Sequence, residues 1–276
     1  MRAGTFLTEM ATKTFFDTLQ GSIWAPFGLR FGGHLGTILR RFWGRRFLER
    51  RVHNYRLLLD LNDVGISRTL LLFGTREREH KHILEKVARP GMRVFDIGAN
   101  IGYYAVMELG LIGPAGSLVA IEPSPANIGL LRKNLALNGY SNVEIIEAAI
   151  SDQGGERLFY LSRESNLNTF HNVGSGVDHL SGERVKVKTL TVPEVAAKCG
   201  VPDLIRMDVE GHEVEVIRGM LPSIRNGVLA PMIIFETHLS RYSEQHSMAH
   251  VMKELFDSGY STRYLASSYE GGNPSD

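Results

Sequence analysis

The chain has 276 residues, of which 43% are hydrophobic and 22% are charged, and its formal net charge is +1. This balance excludes a disordered or fibrous protein, and the length predicts one sizeable α/β core with a small accessory segment. The single cysteine, Cys199, excludes an intramolecular disulfide framework and a cysteine-rich zinc cluster, so a reducing, cytoplasmic location is the expectation. No stretch approaches the roughly 18–20 apolar residues of a membrane span.

Positive charge is concentrated at the start of the chain. Residues 1–56 hold ten Lys or Arg against three Asp or Glu, a net charge of +7 that leaves −6 for the remainder. Within this segment, "LRRFWGRRFLERR" (39–51) interleaves arginine pairs with aromatic residues at a 3.6-residue period, which predicts an amphipathic helix. Its aromatic side can pack on the rest of the chain, or the helix can dock on an anionic membrane surface or an acidic partner. The chain therefore divides into a basic, largely helical extension (1–56) and a main domain (57–276).

The main domain is predicted to begin with short elements and then to alternate strands with helices. Residues 57–75 predict two short strands around Asn62-Asp63, and residues 77–88 predict a helix that ends before Pro90-Gly91. Five later segments predict buried strands: "MRVFDIG", "SLVAIEP", "VEIIEAA", "PDLIRMDV" and "APMIIFETH". Helices are predicted at 102–111, 125–138, 212–220 and 243–258.

A hairpin interrupts this alternation. The segments "ERLFYL" and "RVKVKTL" alternate at a period of two and predict antiparallel strands joined by a long polar loop, 162–184, which is either a lid over the substrate or an ordinary exposed loop. The strand–helix alternation predicts a parallel sheet covered by helices on both faces, and in such sheets ligands bind beyond the carboxyl ends of the strands. The predicted strand ends are residues 96–102, 122, 149–152, 208–212 and 236–238.

The turn "DIGANIG" predicts the type of cofactor. Gly98 and Gly102 let the backbone pass close to a ligand, and the helix that begins near Gly102 directs its free N–H groups to the same place. The spacing is G-x-N-x-G, with Asp96 just before it, whereas a dinucleotide site has G-x-G-x-x-G. A carboxylate beside a pyrophosphate repels it but attracts a sulfonium or an ammonium group. The turn therefore favours S-adenosylmethionine over a dinucleotide.

Two further acids extend this prediction along the sheet edge. Glu122, at the end of the next predicted strand, can accept both hydrogen bonds from a ribose diol, although this feature alone does not separate the two cofactors. Asp152, in "AAISD", lies where an adenine amino group can donate to it. Each of these residues also has a simpler interpretation as a helix cap or a turn residue.

Four segments, "VFDIGANIGYYA", "VAIEPSPAN", "VEIIEAAISDQGG" and "DLIRMDVEGHEVEVIRGM", follow one another along the chain. Together they resemble the successive signatures of FkbM-type methyltransferases, over about residues 70–266. The resemblance implies the class I, Rossmann-like, doubly wound α/β fold, with a mostly parallel seven-stranded sheet and an antiparallel last strand. It also implies O-methylation of a hydroxyl on a sugar, a glycan or a polyketide-type natural product. Arg206 stands where the family usually has a lysine, and an upstream glycine–aromatic–glutamate pattern is matched only by Gly74 and Glu77.

The cofactor contacts follow from the turn, the strand ends and the resemblance. By position, the resemblance places the turn residues against the methionine part of the cofactor, Glu122 against the ribose, and Ala149 and Asp152 near the adenine. The full predicted set is Glu77, Asp96, Gly98, Ala99, Asn100, Gly102, Tyr103, Glu122, Pro123, Ser124, Asn127, Ala149 and Asp152.

Catalysis is predicted at the end of the fourth strand, "MDVEGHE". Methyl transfer to an alcohol needs a base for the hydroxyl proton, and this segment supplies Asp208, Glu210 and His212, with Glu236 beyond the fifth strand. Asp208 ranks first, followed by His212, Glu210 and Glu236, and the alternative interpretation of Glu210 and Glu213 is that they only favour the helix N-terminus electrostatically. A weaker alternative is a Mg²⁺ ion held by Asp208, Glu210, Glu236 and His238.

Two other classes of protein remain as alternatives. One is an NAD(P)-dependent oxidoreductase, and the other is a non-catalytic cofactor-binding scaffold whose basic segment 39–51 contacts a membrane surface. The expected partner is a small-molecule or glycan acceptor. A nucleic acid is not expected, because no N/D-P-P-Y motif follows the fourth strand and the basic charge lies apart from the predicted cleft. The sequence specifies no oligomeric state.

Overall fold

The computed structural model describes residues 44, 46–141, 143–162, 164–170, 180–238 and 241–266. Its elements, in chain order, begin with strands β1 (Phe47–Val52) and β2 (Tyr55–Asp60) and helices α1 (Ile66–Phe73) and α2 (Arg78–Val87). Then follow β3 (Arg93–Ile97), α3 (Tyr103–Ile112), β4 (Ser117–Ile121), α4 (Pro125–Leu137), β5 (Glu144–Ile146) and β6 (Ala149–Ile150). The last are β7 (Gly155–Ser162), β8 (Leu180–Leu190), α5 (Val192–Cys199), β9 (Leu204–Met207), α6 (Glu213–Arg225), β10 (Met232–Phe235) and α7 (Met248–Asp257).

The central sheet is parallel and has the strand order β10-β9-β3-β4-β5. Helices α1 to α4 contribute to the hydrophobic core on one face, and α5, α6 and α7 contribute to the core on the other. The chain leaves β3 towards β4 in one direction and later adds β9 in the other, so the order reverses between β3 and β9. Ligands of doubly wound sheets bind at such a reversal. The carboxyl ends of β3 and β9 therefore mark the site.

The predicted α/β class is confirmed, although the number of strands differs. In the described residues the central sheet has five strands, and residues 260–266 form no assigned strand, so the implied seventh, antiparallel strand is not seen there. The segment "VEIIEAA" is divided between the central sheet, as β5, and a second sheet, as β6, whose order is β6-β8-β7. The predicted hairpin is present as the antiparallel pair of β7 and β8.

The prediction of an amphipathic helix over 39–51 is wrong where the structure describes it, and residues 39–43 and 45 lie outside the described residues. Residues 47–52 form β1, which pairs antiparallel with β2 across the predicted domain boundary at residue 56. The reason is tertiary: Leu57 and Leu59 of β2 are fully buried, and pairing with them outweighs the helical period of the arginine pairs. The Arg46 guanidinium lies 2.8 Å from the Asp60 carboxylate and closes the end of the hairpin.

The free edge of β2 is covered by side-chain amides instead of another strand. Asn134 accepts a hydrogen bond from the Leu58 N–H at 2.6 Å and donates to the Leu58 carbonyl at 3.3 Å. Asn138 pairs with both backbone groups of Arg56 at 2.9 and 2.7 Å. The Asn134 amide also donates to the Ile101 carbonyl at 2.8 Å. Helix α4 therefore joins the hairpin to the glycine-rich turn.

Three other helix boundaries differ from the sequence predictions. The second strand predicted in 57–75 is helix α1, which begins after an Asp63 carboxylate that accepts the N–H groups of Gly65 and Ser67 at 3.0 and 2.8 Å. Helix α5 was not predicted, although Thr191 and Glu194 form a capping box at its start. Helix α7 begins at Met248, five residues later than expected.

Candidate active site

The glycine-rich turn follows β3 and packs tightly against the end of β9. Gly98 has a φ of 81°, and a Cβ there would lie 2.2 Å from the Asp208 carbonyl oxygen, so only glycine fits. Gly102 has a φ of 88° and packs on Leu131, where a Cβ would come within 2.8 Å of a methyl group. Asn100 has a φ of 51°, which is uncommon for a residue with a side chain. Contacts with neighbouring residues therefore hold the turn in this uncommon conformation, as expected of a binding loop.

Glu122, at the end of β4, is connected to this turn. Its carboxylate accepts hydrogen bonds from the backbone N–H groups of Asn100 and Ser124, both at 2.9 Å, and from the Asn127 amide at 3.3 Å. Burial raises the pKa of Glu122 to about 7, although these donors favour the ionised form. The carboxylate lies at the place predicted for a ribose contact.

A cavity of about 50 Å³ lies between the turn, the end of β4 and the end of β9. Nine of the predicted residues line it, and seven of them are Gly98, Asn100, Glu122, Pro123, Asn127, Ala149 and Asp208. Glu210 and His212 line it as well, and its apolar wall is formed by Ile97, Ile121, Ala148, Ile150, Phe159, Phe170 and Val209. Among the described residues, no lysine or arginine lines the cavity, whereas three carboxylates do.

Residues 164–170, which we call the strap, cover this cavity. The Ser165 carbonyl accepts hydrogen bonds from the side-chain amides of Asn100 at 3.2 Å and Asn127 at 3.1 Å. The Ser165 N–H donates to the Asp63 carboxylate at 3.0 Å, which anchors the strap to the loop after β2. The strap thus uses polar groups of the predicted ribose site, a contact that no local sequence pattern predicts. Of the predicted loop 162–184, the strap lines the cavity, whereas residues 180–184 belong to β8.

Asp96 does not line the cavity, so the expected direct contact between this carboxylate and a sulfonium is not seen. Asp96 is fully buried, and its Oδ1 lies 3.2 Å from the guanidinium of Arg206, which is also buried. Burial raises the pKa of Asp96 in spite of this ion pair. The other end of the guanidinium lies 3.2 Å from Asp208, and its plane covers the Tyr104 ring at 4.1 Å. Asp96 therefore orients Arg206 and, through it, Asp208.

Carboxylates converge on the side of the turn away from β4. Burial and the charge of Asp208 raise the pKa of Glu210 to about 8, and burial with the charges of Asp208 and Glu77 raises the pKa of Glu236 to about 7. Glu77 forms an ion pair with Arg76 and accepts a hydrogen bond from the Tyr104 hydroxyl at 2.9 Å, so it belongs to this cluster and does not line the cavity. Glu210 is 7% exposed and has a φ of 53°. This strained, buried carboxylate has the features of a functional side chain.

Sequence reasoning missed the role of Glu213 and the full role of His238. The His238 ring lies after β10, with Nδ1 3.0 Å from Glu213 and Nε2 3.5 Å from Glu210 and 3.8 Å from Asp208. Burial alone would lower the pKa of His238, but the hydrogen bond to Glu213 and the charges around it raise it to about 9. The imidazolium therefore faces the carboxylates of the cleft. The four-residue spacing between Val209 and Glu213 does not predict the contact of Glu213 with His238, because Glu213 and His238 are 25 positions apart in the chain.

His212 lies on the opposite wall, next to the apolar part of the cavity. Its Nε2 lies 3.0 Å from the Ser151 hydroxyl, its Nδ1 lies 3.4 Å from Glu215, and its ring packs on Phe170 with the centroids 4.6 Å apart. Both ring nitrogens are engaged and the residue is buried, so we do not assign it the role of base. It shapes the cavity wall instead.

The remaining predicted residues do not line the cavity, and each has another local contact. Ala99 is buried below the turn, and Ser124 is the buried N-cap of α4. The Tyr103 hydroxyl is hydrogen-bonded to the backbone of Arg76, away from the cavity. Asp152 lies 2.8 Å from the Arg157 guanidinium.

Two groups of side chains have ligand atoms close enough to share a metal ion. They are Glu77, His80 and Glu236, and Asp208, Glu236 and His238, with all ligand atoms of each group within 4.8 Å of one another. Positive charge is already present at both: Arg76 pairs with Glu77, Arg206 pairs with Asp208, and His238 faces the cleft as a cation. We therefore assign neither group a metal ion.

The cavity suits S-adenosylmethionine better than a dinucleotide. A carboxylate at the end of β4 suits a ribose diol, and the wall of Ala148, Ile150 and Phe159 suits an adenine ring. A pyrophosphate would find no basic side chain among the described lining residues, whereas Glu122, Asp208 and Glu210 can ionise beside a cationic ligand. The charge argument made for Asp96 thus applies to these three residues.

Comparison with known proteins agrees with this geometry. A family model described as "Methyltransferase FkbM domain" matches residues 96–262. The chain is 29% identical over 159 residues to the 31-O-demethyl-FK506 methyltransferase FkbM of Streptomyces tacrolimicus, an alignment that covers 48% of this chain and 60% of that protein. It is 26% identical over 147 residues to the hexuronic acid methyltransferase AglP of Haloferax volcanii, covering 52% of this chain and 55% of that protein. The chain thus spans little more than half the length of these relatives.

A solved structure of a methyltransferase FkbM from Methylobacillus flagellatus aligns with 69% of this chain and 47% of that chain, with 14% identity and a TM-score of 0.39. The family model covers more than half of the chain, including the glycine-rich turn, Glu122, Asp208, Glu210 and Glu236. The predicted resemblance to FkbM-type methyltransferases is confirmed, which disfavours the oxidoreductase alternative. The chain belongs to the FkbM methyltransferase family.

Proposed function

We propose that the chain transfers a methyl group to a hydroxyl oxygen of a sugar, glycan or polyketide-type acceptor. The observation that carries the proposal is Glu210, a buried carboxylate in a left-handed conformation that lines the cofactor cavity and has no arginine partner among its described contacts. The names of two relatives, which refer to 31-O-demethyl-FK506 and to hexuronic acid, support acceptors with hydroxyl groups.

When bound, the cofactor supplies an electrophilic methyl group on a sulfonium, which needs no activation. The residues of the chain then have two tasks. Glu122 and Asn127 hold the ribose side, and the turn at Gly98 fixes the distance between the cavity and β9. Holding the acceptor oxygen in line with the carbon–sulfur bond supplies much of the rate.

The second task is to remove the hydroxyl proton as the new oxygen–carbon bond forms. Glu210 is the best base, because burial and the charge of Asp208 raise its pKa to about 8, close to a neutral working pH. Asp208 ranked first from sequence, but its Oδ2 is paired with Arg206 at 3.2 Å, which weakens it as a base. Glu236, with a pKa of about 7, lies in the same cluster and can share the proton. Taking up the proton neutralises Glu210, and the negative charge of Asp208 favours this protonated form.

The test has a binding arm and a turnover arm. Calorimetry with S-adenosylmethionine and with NADH should show binding of the first and none of the second, since carboxylates line the cavity. Release of S-adenosylhomocysteine should then be measured with three acceptors: a hexuronic acid glycoside, a neutral sugar glycoside and a macrolide polyketide with a free hydroxyl. Methylation of oxygen, located by mass spectrometry, supports the proposal. Cofactor binding without turnover on any hydroxyl would instead support the scaffold alternative, and methylation on nitrogen would overturn the O-methyltransferase assignment.

Among the described residues, none of the helices combines the length and the apolar composition needed to traverse a bilayer. Contact of segment 39–51 with a membrane surface stays a prediction, because residues 39–43 and 45 lie outside the described residues. Vesicles with and without anionic lipid would test it in a flotation assay.

A further inference from the structure

Glu213 is a fully buried carboxylate in the first turn of α6, and two separate parts of the cleft converge on it. Its Oε1 accepts hydrogen bonds from the backbone N–H groups of Val209 at 3.3 Å and Gly211 at 3.2 Å. The same oxygen lies 3.0 Å from His238 Nδ1, and Oε2 accepts the Tyr242 hydroxyl at 2.9 Å. Burial raises the pKa of Glu213, but these hydrogen bonds outweigh it and hold the pKa below its usual range, so the group is ionised.

The first consequence concerns Glu210. The two backbone N–H groups that Glu213 accepts belong to the residues on either side of Glu210, whose φ is 53°. A residue with a side chain persists in this conformation only when its surroundings hold it there. The Thr169 hydroxyl, from the strap, adds a hydrogen bond to the Glu210 carbonyl at 3.1 Å. Glu213 therefore holds the proposed base in its orientation towards the cavity.

The second consequence concerns His238. Because Nδ1 is hydrogen-bonded to Glu213, Nε2 is the nitrogen that faces the cleft. The groups that face the ring are the carboxylates of Asp208, Glu210 and Glu213, the more distant charge of Glu236, and the Tyr242 hydroxyl, which accepts the His238 backbone N–H at 3.0 Å. With Glu213 on one side, the imidazole is fixed against rotation and its charge is placed next to Glu210.

We propose that Glu213 is a positioning residue for methyl transfer, which sets both the backbone orientation of Glu210 and the orientation of the His238 imidazole. The inference rests on the proposed function, because it takes Glu210 as the base. The inference goes beyond the proposed function, because it assigns a role in the reaction to a residue that does not line the cavity. A carboxylate that served only the N-terminus of α6 would need no contact with a ring from another part of the chain.

The experiment compares Glu213→Gln with Glu215→Gln, which makes the same change two residues later in the same helix turn, where the carboxylate faces His246 and His212. Histidine-labelled full-length protein without cofactor is titrated by NMR. Glu213→Gln should lower the pKa of His238 by at least about one unit, since it removes the negative charge at Nδ1. Glu215→Gln should leave the pKa of His238 where it is.

Kinetics give the second readout. Glu213→Gln should lower kcat by about 10²-fold, the loss expected when a reacting group is displaced by about 1 Å, with cofactor affinity unchanged. Tyr242→Phe, which keeps the Glu213 charge but removes one of its donors, should lower kcat by about 5-fold with KM unchanged. If Glu213→Gln does not fold, the Tyr242→Phe result decides.

The two proposals can fail separately. Wild-type turnover together with an unchanged His238 pKa and unchanged kcat in Glu213→Gln would overturn the positioning role and leave the proposed function intact. Wild-type kcat in Tyr242→Phe would also count against it. If no acceptor is methylated by the wild type, the proposed function fails, and the His238 titration still decides whether Glu213 fixes the imidazole.

Discussion

Replacing Glu210 by glutamine keeps the shape of the side chain and removes its ability to take a proton. In the wild type, burial and the charge of Asp208 raise the pKa of Glu210 to about 8. A carboxylate with this pKa is ~1% ionised at pH 6, ~10% at pH 7 and ~50% at pH 8. Only the ionised form can act as base, so kcat/KM should rise about tenfold per pH unit up to pH 7 and level off above pH 8.

The variant should lose this dependence. At pH 9, where the wild-type carboxylate is ionised, Glu210→Gln should be slower by ~10²–10⁴-fold, which corresponds to roughly 3–5 kcal/mol of activation free energy. At pH 6, where ~1% of the wild-type carboxylate is ionised, the difference between the two proteins should shrink by about 10²-fold. Convergence of the two rates at low pH is therefore the signature of a base with a raised pKa.

The assay is the initial rate of S-adenosylhomocysteine release from pH 6 to pH 9, with saturating cofactor and the acceptor that the screen identifies. Glu156→Gln, an exposed position on β7, is the matched control and should follow the wild-type profile. A constant ratio of wild-type to Glu210→Gln rates across this range would refute the assignment of Glu210 as base. So would a wild-type rate that is flat between pH 6 and pH 8.

Three further predictions concern the cofactor pocket. Because burial raises the pKa of Glu122 to about 7, and only its ionised form accepts both ribose hydrogen bonds, calorimetric affinity for S-adenosylmethionine should increase about tenfold from pH 6 to pH 8, and Glu122→Gln should abolish the increase. Gly98→Ala places a Cβ 2.2 Å from a backbone carbonyl at a φ of 81°, so differential scanning calorimetry should show a melting temperature lower by at least about 4 °C. Asn127→Ala removes one of the amides that hold the strap, so hydrogen exchange in residues 164–170 should accelerate in the cofactor-free protein while exchange in β3 stays unchanged.

The central part of the fold could be predicted from sequence because its signals are local. Strands β3, β4, β9 and β10 are short apolar runs, and each ends at a turn or a charged residue that marks its boundary. Helix α4 carries its own start signal in Ser124 and Pro125 and its own stop in Asn138 and Gly139. In residues 47–52 the local pattern predicts a helix, but the chain forms a strand. Pairing with the buried residues Leu57 and Leu59 stabilises the strand more than the predicted helix would be stabilised.

The site was predicted in outline but not in its pairings. Topology brings the ends of β3, β4, β9 and β10 to one edge, so Gly98, Glu122 and Glu210 could be placed together from the sequence. Which carboxylate is neutralised depends on distances across the fold. Arg206 is 110 residues away from Asp96 in the chain and forms an ion pair with its carboxylate. His238, which follows β10, contacts the Glu213 carboxylate. Ion pairs of this kind leave no periodic trace, so sequence reasoning overrated Asp96 and overlooked Glu213.

Asn134 ties the β1–β2 hairpin to the glycine-rich turn. Its single buried amide bridges the backbone of Leu58 and the carbonyl of Ile101, the residue that follows Asn100 in the turn. A protein shortened to begin at residue 57 would lose β1 and with it the support of β2, and this amide would then lose its partners on one side. Truncation at a boundary that looks harmless by charge alone would therefore loosen the glycine-rich turn, and residues 46–56 cannot be treated as a detachable appendage.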